Sequence, residues 1–164
     1  MKRDSRLPSP RRINSVADAQ AYVNSLVGAL RSMNLPAKDT VVIMQPVFTH
    51  YGAVSMGGQL TARAITDYLE SGEMPADVGK PVPASFAEAV MRMIDRGKWV
   101  IAVNSRFAFP EPADVLIRRS DALDHEMTHL LVHDMFGPPY QKHGSHQFVR
   151  IGRMLFGDEF MTGK

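Results

Sequence analysis

Apolar residues recur at helical spacing from Val16 onward, with Ala19, Val23, Leu26, Val27 and Leu30 on the same face. Ser15 precedes the run as a capping residue and Asn34 and Pro36 close it, so a helix is expected over 15–33. Residues 41–44 are a short apolar run of strand type, followed by a less regular stretch through Gly58 with room for one further strand. The pattern turns helical again over 60–69, and Gly and Pro crowd 71–84 into a surface loop. Ser85-Phe86-Ala87-Glu88 has the form of a capping box, in which Ser85 and Glu88 satisfy each other's orphan backbone donors. The helix it opens carries Phe86, Ala89, Val90, Met93 and Ile94 on one face and stops at Gly97. Residues 99–104 are the clearest strand. Pro110 and Pro112 then interrupt the chain before a helix over about 113–136, ended by Gly137-Pro138-Pro139. A last helix spans about 145–156 and ends at Gly157. This order of elements predicts a small α+β domain.

Composition narrows the chemistry. The 164 residues suffice for one domain with a sizeable core, expected over 14–164. The absence of cysteine excludes disulfides, thiolate zinc ribbons, iron–sulfur sites and a cysteine nucleophile. No apolar run approaches a membrane span, and no hydrophobic region follows the basic N-terminus, so a cytoplasmic protein without membrane contact is expected. Lys2, Arg3, Arg6, Arg11 and Arg12 stand against Asp4 alone in the first twelve residues, a charge of +4, while the rest of the chain is near −2. Residues 1–13 therefore read as a basic flexible tail, solvated in the first instance and able to contact nucleic-acid phosphates in the second. Met91, Met93, Met127, Met135 and Met154 fall on helical faces and read as packing, and Trp99 as the anchor of its strand.

The candidate chemistry lies in His125-Glu126-Met127-Thr128-His129. On a helix, residues four apart are about 6 Å apart along the axis and share a face. Two imidazoles so placed can reach one tetrahedral metal ion at about 2.0–2.1 Å per nitrogen. Glu126 is placed to act as a base on water rather than as a ligand. Leu123, Met127, Leu130 and Leu131 form an apolar stripe away from the histidines.

The third ligand is open at this point. His133 lies about 12 Å along the axis from His125, too far to share an ion, and is expected at the cleft edge or supporting a ligand. Asp134 points elsewhere, to orient a histidine or to face solvent. His143 and His146 are both candidates: Gly144 allows a tight turn, and Ser145 can cap the last helix with His146 in its first turn. Glu159 is more remote. Asp121 and Asp124 are candidate partners of ligand histidines, or solvated acids. Tyr140 is either a donor to a substrate carbonyl or an apolar plug, and His50 reads as a turn or surface histidine.

His125-Glu-Met-Thr-His129, then His143-Gly144 and Phe148 opening a last helix, resembles the SprT-like (Spartan-type) zinc metallopeptidases. Their HExxH helix is followed by an HGxxF-like element with the third histidine. Trp99-Val-Ile-Ala-Val-Asn104 also resembles the strand before the active helix, which can bind an extended substrate edge-on. The likeness covers about 98–156; the first ninety residues match nothing in it, the spacing from Gly144 to Phe148 is one residue longer, and the zinc ribbon that often follows such domains is absent. It implies a small zincin-like domain, a short mixed sheet packed against helices, with Zn2+ on His125, His129 and His143 and Glu126 as catalytic base. The implied activity is hydrolysis of peptide bonds in a protein substrate. Two other expectations stand beside it: a non-catalytic interaction module that keeps the framework, and an accessory factor contacting nucleic acid through the tail.

Overall fold

The computed structural model describes residues 2–44, 53–57, 84–103, 119–137, 144–158 and 160. Helix α1, Val16–Ser32, starts where Ser15 Oγ accepts the Asp18 amide at 3.0 Å. Asp18 in turn accepts the Asn14 amide, which also sets a negative charge at the positive end of the helix dipole. The helix ends as Asn34 takes a left-handed φ of 63° and Leu35 donates back to the Leu30 carbonyl. Its buried face is the expected stripe from Ala19 to Leu30 with Tyr22 added, and Val16 is only partly buried.

Three strands form one mixed sheet in the order β1-β3-β2. β1 (Thr40–Met44) runs parallel to β3 (Trp99–Val103), and β2 (Ala53–Met56) pairs antiparallel to β3 with Ser55 opposite Ile101. The second strand, only allowed for by the sequence pattern, is therefore real. All five residues of β3 are buried, as a continuous apolar run requires when a strand is covered on both faces. The expectation that this strand binds substrate edge-on does not hold, because β1 and β2 occupy both of its edges. Gln20 of α1 ties down β1: its carboxamide donates to the Thr40 carbonyl at 2.7 Å and accepts the Val42 amide at 2.8 Å.

Helix α2, Ala84–Asp95, begins one residue before the capping-box serine, so Ser85 lies inside its first turn instead of flanking it. Its end is as expected: Gly97 adopts φ 80° and Lys98 donates to the Met93 carbonyl. Helix α3, Arg119–Phe136, carries the histidine motif and stops at Gly137, whose φ is 103°. Helix α4, His146–Phe156, is capped by Ser145 and closed by Gly157. The expected helix over 60–69 and the loop that follows lie outside the described residues, as does 113–118. The described elements make a small α+β domain in which helices pack on a short mixed sheet.

The N-terminal segment departs most from expectation. Residues 2–14 do not form a solvated tail: Leu7 and Ile13 enter the core with the apolar faces of α1, α3 and α4. The Asp4 amide donates to the Leu155 carbonyl at 2.9 Å, and the Arg11 amide to Ser120 Oγ at 2.9 Å. Among the described residues, Arg3 bonds Asp124, Arg6 pairs with Asp4, and Arg11 lies over the Tyr22 ring. Apolar anchors at positions 7 and 13, interleaved with the charges, are what hold it down.

Candidate metal centre

His125 and His129 fall one turn apart on α3, so their rings meet edge to face with centroids 4.9 Å apart. Their Nε2 atoms are 3.3 Å apart. Two nitrogens bound to one tetrahedral ion at about 2.0–2.1 Å would be about 3.3–3.4 Å apart, so the pair has the spacing of one edge of such a site. A Glu126 carboxylate oxygen joins them, all three donor atoms lying within 4.8 Å of one another. Imidazole is a borderline donor that suits zinc, and the carboxylate stands beside the pair.

Aromatic rings fix the imidazoles from behind. Phe148, fully buried at the start of α4, lies 4.5 Å from the His129 ring and 5.3 Å from that of His125. Phe160 stacks on His125 at 5.8 Å. Gly152 makes room for that ring, since a Cβ there would come within 2.0 Å of Phe160.

Glu126 meets the sheet. Ser55 Oγ on β2 donates to Glu126 Oε1 at 2.8 Å, and the Ser55 backbone also hydrogen-bonds the carboxylate. Burial pushes the Glu126 carboxyl up to about 8, against the opposite pull of those hydrogen bonds. Ser55 was not foreseen. Its signal was the one hydroxyl in Ala53-Val-Ser-Met56, a buried polar group that needs a partner.

The neighbouring acids divide. Asp124 is buried and accepts from Arg3 Nη1 at 2.8 Å and from the Tyr22 hydroxyl at 2.5 Å, so it is neither of the expected alternatives, a partner of a ligand histidine or a solvated acid. Arg3 also donates to Tyr22 at 2.7 Å and to the Pro8 carbonyl, and lies over the Phe156 ring. Tyr22 could have been found from its place between Ala19 and Val23 on the buried face of α1, where a phenol must be satisfied. Asp121 sits half-buried in the first turn of α3.

Of the other sequence candidates, His133 is buried outside the donor cluster. Its Nδ1 is 3.6 Å from Asp134, and its Nε2 has no hydrogen-bond partner among the described residues. Asp134 pairs with Lys38 at 3.5 Å. His146 is exposed as the first residue of α4 and, among the described residues, does not join the histidine pair. His143, Tyr140, Glu159 and His50 lie outside the described residues. Among those described, no helix is long and apolar enough to cross a membrane. No family model, curated protein or solved structure was found to match the chain.

Proposed function

We propose that this chain is a zinc-dependent metallopeptidase of the SprT-like kind, hydrolysing peptide bonds in a protein substrate. The observation that carries the reading is the 3.3 Å approach of the His125 and His129 Nε2 atoms with the Glu126 carboxylate beside them. His125 and His129 would hold the metal with His143 as third ligand. His143, five residues before Phe148 in the sequence, is the third ligand that the resemblance implies. A zinc ion supplies a Lewis acid that acidifies water and polarises a carbonyl oxygen. Glu126 accepts the proton of the attacking water and returns it to the leaving amine, the task of a general base that becomes a general acid. Phe148 and Phe160 pack against the imidazoles and would keep them oriented.

The test is zinc content together with cleavage of fluorescein-labelled casein. About one zinc per chain is expected in wild type, none in the His125→Ala, His129→Ala double variant, and cleavage only where zinc is bound. Stoichiometric zinc in the double variant overturns the site. Full zinc occupancy in a wild type that leaves casein intact favours the non-catalytic interaction module instead.

A further inference from the structure

A glutamate side chain has three torsions, and a base serves only when its oxygen is held within reach of the proton it takes. On α3 alone nothing fixes Glu126, because its helical neighbours are the two histidines and the apolar stripe. The constraint comes from β2. Pairing of Ser55 with Ile101 places residue 55 on the sheet, almost fully buried, with its hydroxyl 2.8 Å from Glu126 Oε1. The backbone of the same residue bonds the same carboxylate, so one strand position grips it twice. A serine hydroxyl has a single proton to donate, and this one is committed to Glu126. Serine is also a weak strand former compared with the β-branched residues that would fill a purely structural position there.

We propose that Ser55 is the positioning residue of Glu126, its hydroxyl and backbone holding the carboxylate beside the His125–His129 pair. The assignment rests on the hydrolytic reading above. It makes β2 part of the reaction centre: the strand sets where the base stands, while α3 sets where the metal would stand.

The experiment compares Ser55→Ala, Ser55→Thr and wild type, loaded with zinc and carrying ¹³C-labelled glutamate. The Glu126 carboxyl resonance, identified by its loss in Glu126→Gln, is expected to move in Ser55→Ala and to return in Ser55→Thr, with bound zinc unchanged throughout. On fluorescein-labelled casein, Ser55→Ala is expected to lower kcat about tenfold with KM unchanged, and Ser55→Thr to restore it. Ser55→Cys, which keeps the volume with a weak donor, replaces the alanine variant if that one does not fold. An unmoved resonance, or a KM effect with kcat intact, overturns the assignment and leaves the hydrolytic reading standing. A zinc-replete wild type that leaves casein uncut overturns the hydrolytic reading, and the catalytic role of Ser55 with it.

Discussion

Asp124 and Glu126 are two carboxylates two residues apart on one helix, the first buried and the second half-buried. Burial raises each above the usual carboxylate range, Asp124 to about 6 and Glu126 to about 8. The difference lies in what faces them. Asp124 meets a guanidinium from the far end of the chain and a phenol, so both of its oxygens are held and its charge is matched within the protein. Glu126 meets a serine and two imidazoles, donors without a fixed positive charge. A buried carboxylate with its own cation is a fastening. One placed beside two imidazoles could, under the proposed function, be matched by a cation from outside, and a dication beside it would draw its pKa back down. The same helix thus carries a structural acid facing the N-terminal segment and, under the proposed function, a chemical one facing β2.

The sharpest way to break this contrast is to neutralise the chemical acid. Glu126→Gln keeps the shape and an oxygen for Ser55 to bond, so zinc content and unfolding midpoint are expected to hold. Casein cleavage should fall by about 10²–10⁴, the usual worth of a general base. Equal cleavage in the variant would assign the activity elsewhere, and loss of zinc would make Glu126 a ligand.

The next largest effect belongs to the structural acid. Arg3→Met removes the only cation bonded to Asp124 among the described residues and leaves a buried charge uncompensated. Breaking such a pair costs about 3–5 kcal/mol, and the low end applies because the Arg3 side chain keeps 19% of its surface exposed. Urea denaturation should therefore show a loss of about 3 kcal/mol, with zinc still bound. Unchanged stability would mean that the segment 2–14 is not fastened through Arg3.

How much of this the sequence shows depends on the range of the interaction. The histidine pair, the helix that carries it and the caps at Ser15, Gly97 and Ser145 are local patterns, set by residues within a few positions of one another, and they read directly from the chain. Ser55 and Glu126 are 71 positions apart and Arg3 and Asp124 are 121 apart, so no spacing rule links them. Charge counting was misleading for the same reason. It sums Arg3, Arg6 and Arg11 as a solvated tail, whereas Leu7 and Ile13 hold the segment against the core, where Arg3 reaches Asp124 and Arg11 covers the Tyr22 ring, and only Arg6 stays largely in water on its neighbour Asp4. The edge-on role expected of 99–104 failed because strand order, unlike strand character, is a tertiary property.

A smaller effect tests whether Asp124 needs its second oxygen held. Tyr22→Phe removes the hydroxyl that donates to Asp124 Oδ1 and accepts from Arg3, while keeping the ring in the core. Hydrogen bonds to charged groups contribute about 1.5–3 kcal/mol, so a loss of about 2 kcal/mol is expected in urea denaturation. Combined with Arg3→Met the losses should not add, since both variants act on one network. Full additivity would show two independent contacts instead of one fastening.

The smallest expected effect comes from the other arginine of the same segment. Arg6 pairs with Asp4 at 2.8 Å, as short as the Arg3–Asp124 bond, but 62% of its side chain remains in water. Solvent screens such a pair, and holding two mobile side chains together offsets what attraction remains. The backbone contact that anchors this stretch, from the Asp4 amide to the Leu155 carbonyl, does not involve the Arg6 side chain. Arg6→Ala is therefore expected to leave the urea midpoint and zinc content within error of wild type, at low and at high salt. A clear loss of stability at low salt that vanishes at high salt would place the fastening of the segment in its surface charge. The burial of Leu7 and Ile13 would then contribute less to holding the segment than the Arg6–Asp4 pair does.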